Sequence, residues 1–414
     1  MSVTCNLYDL IILGGGASGL MAAIAAFRQN RHASVLLLER NEQLGRKLLA
    51  TGNGRCNFSH ADQDLHHYRS HRPDVVQEIL NQFGLSETLL LFHELGLHTR
   101  CEEGRYYPRS NQGRVVPLLL QEALLKTPIH IQRNTPVQTI SRTDKGFHVF
   151  TTDGRCYSTE KLLLATGGKA SPQLGSDGDF YVWLREVGHH VYPVYPALTP
   201  LKLNLLGLKK ISGVRFWGRA ECWVEEDMVQ ESEGEFLWTP YGISGIPTLQ
   251  MSRFAAEALG DQKRVVLKMD FLPEWDERGA QNIIFSWMMK NRGEVVIALS
   301  GILHSNLAEY LVSLVETQIG PIKAFHPGQA ARLAKLLKGW ILPVPATLDW
   351  KDAQSTVGGV DLSEIDSKTL ASKKVPGLFL AGEILDVDGN CGGYNLQWAW
   401  SSGFLAGQDR KSVV

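Results

Sequence analysis

DLIILGGGASGL, Asp9 to Leu20, is the stretch that decides how this chain reads. Leu10 to Leu13 is an apolar run with the length of a buried parallel strand. Gly14, Gly16 and Gly19 follow in the spacing G-x-G-x-x-G, and Leu20 to Phe27 continues as a mostly apolar helix former. Each glycine has its own reason. Gly14 permits a tight turn, Gly16 lets backbone approach a pyrophosphate, and Gly19 lets the helix pack closely on the strand. The helix N-terminus then offers free N–H groups and the positive end of its dipole to phosphates. A second apolar run, Ser34 to Leu38, ends in Glu39. That carboxylate lies where the motif places one against a ribose hydroxyl. The pattern predicts a dinucleotide site on an α/β, Rossmann-like domain.

Outward from that stretch, Gly45 to Asn57 is an irregular loop rich in glycine, asparagine, arginine and lysine, as expected of a segment that hugs a polar ligand. GRYYPRSNQ, Gly104 to Gln112, is a second polar–aromatic loop. Phe147 to Thr152 alternates and meets Asp153-Gly154, a hairpin signal with Cys156 to Ser158 returning. Lys161 to Ala165 reads as a buried strand, and Thr166-Gly167-Gly168 after it brings bare backbone toward the cofactor. Prolines 193, 196 and 200 mark a change of character. Beyond them the chain reads as β segments followed by helices, with no phosphate loop. Its basic run (Lys202, Lys209, Lys210, Arg215, Arg219) reads as a solvated face. At the far end Gly377 to Ala381 is another apolar strand closed by Gly382-Glu383. After it Gly392-Gly393-Tyr394-Asn395 opens a helix, which suggests one ligand held from both ends of the chain.

Composition narrows the class. With 414 residues the chain has room for two or three domains, and 44% hydrophobic with 21% charged content is ordinary for a globular protein. Lys+Arg 42 against Asp+Glu 43 leaves a net charge of -1, which disfavours electrostatic capture of nucleic acid. No stretch approaches membrane-spanning length, and no signal peptide opens the chain, so a cytoplasmic protein is expected. The six cysteines show neither C-x-x-C nor a metal-like spacing. They read as reduced thiols, and no metal is expected.

With both ends in view, the chain resembles the aminoacetone oxidase/BaiN-type FAD-dependent flavoproteins. The resemblance rests on GGGASG at Gly14–Gly19, GRKLLATGNGRCN at Gly45–Asn57 and ATGG at Ala165–Gly168. TVGGVD at Thr356–Asp361 and AGEILDVDGNCGGYNLQWAWSSG at Ala381–Gly403 complete it. It implies an FAD-binding domain in two segments, 1–194 and 346–414, interrupted at 195–345 by a β-barrel and helical substrate domain. It also implies that Gly14, Gly16, Ala17, Ser18 and Gly19 hold the pyrophosphate and Glu39, with Arg40 beside it, the adenosine ribose. Arg46, Lys47 and Asn53 would line the FAD, and Val137 would meet the adenine by its backbone. Glu383 and Asp386 would face the ribityl chain, with Gly393, Tyr394, Asn395 and Gln397 beneath the isoalloxazine. Many relatives read T-H-x-G-x-S-G-P in the inserted domain. Here Pro240 follows Thr239, so the histidine is missing. The expected activity is reduction of a C=C bond conjugated to a carbonyl in a small apolar enone, with NAD(P)H recharging the flavin. Aminoacetone oxidation and reduction of a ribosomal-RNA uridine are the alternatives. Without the histidine, Tyr394, Tyr107 and Arg109 are the candidate proton donors. Cys56 and Cys391 near the flavin read as inert thiols rather than a redox pair.

Overall fold

The opening apolar run becomes strand β1, Asn6–Leu13, followed by helix α1, Ala17–Gln29, and strand β2, Val35–Leu38. The computed structural model describes residues 5–290, 294–319 and 327–408. These divide into two units, Met1–Val194 with Ser355–Val414, and Tyr195–Gln354.

The sheet of the first unit adds β3 (His130–Gln132), β4 (Val137–Thr143), β5 (Gly146–Thr151), β6 (Cys156–Leu164) and β7 (Leu378–Leu380). Its order is β3-β2-β1-β6-β5-β4, with β7 also on β6. Strand β6 pairs with β1 along one edge and with two strands along the other. Cys156 to Thr159 pairs antiparallel with β5, while Leu162 to Leu164 pairs parallel with β7. Ile11, Ile12, Leu36, Leu37, Leu162, Leu163, Leu164, Leu378 and Leu380 are fully buried. A parallel sheet covered on both faces needs such unbroken apolar runs, each side chain contributing roughly 1.5–3 kcal/mol. The register sets Leu13 beside both Leu38 and Leu164, and Leu164 beside Leu380. Four parallel strands therefore end in one row. Helix α2, Tyr394–Gly407, lies on α1, where Cβ atoms at Gly403 and Gly407 would sit 2.4 and 2.2 Å from the carbonyl oxygens of Ser18 and Ala22. Only glycine permits that approach. The architecture is a Rossmann-like mixed α/β domain.

The second unit differs from the expected barrel. Its strands run Trp340–Pro343, Val265–Asp270, Arg215–Val224, Asp227–Thr239, Gly242–Ser244, Leu201–Lys202, Ala346–Thr347, and among the described residues no pairing joins the two ends. It is an open sheet accompanied by helices. The expected end at 345 also falls short, because Leu201–Lys202 pairs with Ala346–Thr347 and the Gln354 N–H donates to the Ala197 carbonyl at 3.2 Å. In the basic run, Arg219 pairs with Glu233 at 2.9 Å and Arg215 with Glu235, as a solvated face would.

One cysteine expectation is overturned. Cys5 and Cys156 form a disulfide across 151 residues of sequence. Asn6 stands opposite Tyr157 on the neighbouring parallel strand, so the preceding residues, Cys5 and Cys156, are brought side by side. Cys56, Cys101, Cys222 and Cys391 are free thiols. No helix among the described residues is long and apolar enough to cross a membrane.

Candidate cofactor and active site

Because four strands end in one row, the loops after them meet at the carboxyl edge of the sheet, where open α/β sheets hold their ligands. Gly14 has φ 103°, and a Cβ there would sit 2.4 Å from the Ala165 carbonyl. A Cβ at Gly19 would fall 1.9 Å from the Gly14 carbonyl, but one at Gly16 would meet nothing within 4 Å. Two glycines are thus demanded by the protein, and the third faces open space where a phosphate fits. Ala17 and Ser18 open α1, whose N-terminus has no side-chain cap, so its first N–H groups are free for an anion.

Glu39 follows β2 directly and is buried. One carboxylate oxygen accepts the Gly15 N–H at 2.7 Å; the other accepts the N–H and side-chain amide of Asn41, each at 2.8 Å. Arg46 donates to Asn41 at 3.1 Å, and Arg40 pairs with Asp177. Val137 begins β4, reached from Thr135, whose N–H donates to the Glu39 carbonyl. The side chain of Asn53 lies outside the described residues. Nearby Asn57 has a buried Oδ1 with no hydrogen-bond partner among the described residues, an acceptor suited to a ligand N–H or hydroxyl.

After β6, Thr166 leads to Gly167, at φ 76°, and Gly168, where a Cβ would lie 2.4 Å from the Thr356 hydroxyl. Thr356 carries no role in the sequence reading, yet it joins both chain segments. Its hydroxyl accepts the N–H groups of Lys169 and Ala170 at 2.8 and 3.0 Å and donates to Glu383 at 2.8 Å. Glu383 also pairs with Lys47 at 2.6 Å. Gly382, at φ 80°, lies against Ser18.

Other expected contacts are differently engaged. One carboxylate oxygen of Asp386, Oδ2, accepts the His71 N–H and approaches His71 Nδ1, each at 2.9 Å. Gln397 is fully buried, accepting from Ser59 at 2.7 Å and donating to Thr88 and Ser401 at 2.9 and 3.0 Å. These bonds hold the opening of the helix in place. Asn395 closes a two-way bridge with the Gly389 backbone, both bonds at 2.8 Å. Gly393 has φ 100° and a Cβ there would be 2.7 Å from the Ser59 carbonyl.

Tyr394, first residue of α2, is buried, with its ring packed against His60 at 5.0 Å and His67 at 4.4 Å, two imidazoles themselves 6.2 Å apart, and edge-on to Tyr68. Burial pushes its phenol well above the ordinary tyrosine value, so it stays protonated. Among the described residues its hydroxyl makes no hydrogen bond. His60 and His67 are absent from the sequence reading; two histidines in a polar loop carry no pattern of their own. Tyr107 is buried beneath the Arg55 guanidinium, 4.6 Å from its centroid. Arg109 is exposed, its N–H donating to the His98 carbonyl. Burial pushes the Cys56 thiol up to about 11 and raises that of Cys391, which disfavours thiolate chemistry at either.

Residues 8–409 match the family model described as HI0933-like protein Rossmann domain. The chain belongs to that family. The HI0933-like assignment agrees with the flavoprotein resemblance read from the sequence. The chain is 40% identical over 96% of its length, and 97% of the relative's, to 3-dehydro-bile acid delta(4,6)-reductase of Clostridium scindens. It is 29% identical over 97% of its length, and 98% of the relative's, to ribosomal RNA dihydrouridine synthase of Escherichia coli. Among solved structures, 3-ketosteroid delta1-dehydrogenase of Sterolibacterium denitrificans superposes with TM-score 0.50 at 12% identity, covering 97% of this chain and 99% of that one, a likeness of fold alone. The HI0933-like family and the fit of this crevice to a dinucleotide make the chain an FAD-dependent oxidoreductase. Its own residues fit that cofactor at the open face of Gly16, the uncapped α1 and the unpartnered Asn57 oxygen.

Proposed function

We propose that this protein saturates a C=C bond conjugated to a carbonyl, in a small apolar enone such as a 3-oxo-4,6-diene bile-acid intermediate, with NAD(P)H as electron source. The observation that carries the proposal is Tyr394: a phenol held protonated by burial, packed against two neighbouring imidazoles, with its hydroxyl uncommitted among the described residues. The 40% identity to a bile-acid reductase over nearly the whole chain supports the substrate class. When bound, FAD supplies the hydride chemistry. Saturating an enone in this way leaves an enolate, which needs a proton and a donor to its oxygen. Tyr394 Oη is the donor in this reading. Its stacking partners fix the ring, and the Asn395–Gly389 bridge and buried Gln397 fix the helix end that carries it. Gly16 and the α1 N-terminus hold the pyrophosphate, and Glu39 the ribose. Lys47 and Glu383 flank the middle of the cofactor.

Tyr394→Phe keeps the ring and removes the donor. Substrate-driven reoxidation of the reduced flavin should slow about 10²–10⁴-fold, the range for general acid catalysis, while its reduction by NADH or NADPH stays near wild type. Wild-type rates in both half-reactions would remove Tyr394 from the chemistry. A second reading, reduction of an RNA uridine, is favoured by the relatives named as ribosomal RNA dihydrouridine synthases. Presenting the anaerobically reduced enzyme with enones, aminoacetone and ribosomal RNA separates the readings. Turnover on RNA alone, with steep salt dependence, would replace the enone.

A further inference from the structure

Cys5, Cys156 and His148 form a group that the flavin chemistry does not use. Their Sγ and imidazole nitrogen atoms all lie within 4.8 Å of one another. The sheet makes this inevitable. Cys5 precedes Asn6, the partner of Tyr157 across the parallel β1–β6 pair, so it neighbours Cys156 on one face. Phe150 stands opposite Cys156 across the antiparallel β5–β6 pair, and His148, two residues back, points to the face of Phe150. Three adjacent strands thus deliver two sulfurs and one imidazole to one patch. Cys156 is buried and the other two are half-buried.

We propose that, with its disulfide reduced, this patch binds one zinc-type divalent ion through Cys5 Sγ, Cys156 Sγ and a His148 ring nitrogen. Two thiolates and an imidazole are zinc's preferred donors. With Zn–S about 2.3 Å and Zn–N about 2.0 Å, tetrahedral donors stand roughly 3.5–3.8 Å apart, so the two sulfurs, bonded to each other in the oxidised form, part on reduction to admit the ion. The fourth position is left to water. Reduction by a phosphine adds two electrons and two protons to the S–S bond; the ion then displaces both thiol protons. A peroxide reverses this: it takes two electrons from the two thiolates, the S–S bond re-forms, the ion leaves, and two added protons complete two waters. Cys5 is separated from Gly14 by the length of β1, about 30 Å at 3.3 Å per residue. The ion would therefore steady the edge of the sheet and take no part in flavin chemistry.

The test uses the full, FAD-loaded chain, reduced with a phosphine, freed of metal and titrated with Co²⁺. Visible d–d bands beyond the flavin absorption report tetrahedral thiolate binding. One equivalent should bind to wild type and to Cys101→Ser. The bands should vanish in Cys5→Ser and in Cys156→Ser, and weaken and shift in His148→Ala. Peroxide should release the ion as the thiols disappear, and Zn²⁺ should raise the melting temperature of the reduced protein only. Retention of FAD in each variant reports that the domain is folded. Cys5→Ser, just ahead of β1, keeps the test valid should Cys156→Ser fail to fold. No Co²⁺ spectrum in reduced wild type, or an unaltered one in Cys5→Ser, would overturn the site.

Discussion

The first unit holds two strand–glycine–helix junctions, and they are built in opposite ways. At Gly14–Gly19 the work is done by backbone. Two glycines are forced by carbonyls at 2.4 and 1.9 Å, one faces open space, and the helix that follows has no side-chain cap. At Gly392–Asn395 side chains do it. Ser59, Thr88, His60 and His67 hold the residues that open α2, across more than three hundred positions of sequence. A junction made of backbone is written in consecutive residues. A junction made of distant side chains is not.

The largest expected effect tests the backbone junction against itself. Gly19→Ala sets a methyl 1.9 Å from a carbonyl that neither element can move, and should cost upwards of about 3 kcal/mol of stability. Gly16→Ala has room, so the apo fold should keep its melting temperature while FAD is lost from the purified protein. Paired thermal melts and flavin-to-protein ratios read the difference. Equal behaviour of the two variants would mean that the first junction has been misread.

Next in size is Glu39→Ala. It removes the carboxylate proposed to meet the ribose, which also orders Gly15 and Asn41. FAD affinity should fall by about 1.5–3 kcal/mol, the worth of a charged hydrogen bond, with the fold retained. Unaltered affinity in an equilibrium titration would take Glu39 out of the cofactor site.

On the other side of the comparison, Gln397→Leu leaves the Ser59 and Thr88 hydroxyls without their partner in a buried place. Stability should drop by about 1–3 kcal/mol in a denaturant melt, the cost of unsatisfied polar groups. Loss of FAD without loss of stability would return Gln397 to the flavin.

How much was legible follows the same division. The strands Leu10–Leu13 and Lys161–Ala165, the hairpin at Asp153-Gly154 and the spacing of Gly14, Gly16 and Gly19 were readable because their causes are local. The places of Gln397 and Asp386 in a motif are visible in the sequence, while their partners in the fold are not. Ser59 and His71 claim them only once the chain has folded. Thr356 was visible as part of TVGGVD but had no role until its hydroxyl met Glu383 and the loop after β6. The Cys5–Cys156 disulfide escaped notice for a like reason, since only the parallel pairing of β1 and β6 brings two residues 151 apart into contact. The second unit's open sheet escaped because alternation identifies strands but not whether the last one meets the first.

The smallest expected effect is a pH dependence confined to the second junction. Burial lowers the pKa of His60 below the ordinary imidazole value, with the His67 and Arg105 charges adding to it and Asp62 opposing. The Asp62 N–H donates to its Nδ1 at 3.1 Å, which also requires that nitrogen to be unprotonated. As the pH drops below about 6.5, the unfolded chain binds a proton at His60 before the folded chain does. Folding therefore loses stability on the acid side, from that value down to the lowered one in the folded state. Above about 6.5 both states are neutral at this residue, and it gives no slope. Because the ring is only half-buried, solvent keeps the effect small. His60→Phe preserves the stack on Tyr394 and removes the titration. Its stability curve should run flatter than wild type on the acid side of about pH 6.5 and parallel to it above. Parallel curves throughout would mean that the second junction is held by ring packing alone, with no part played by charge.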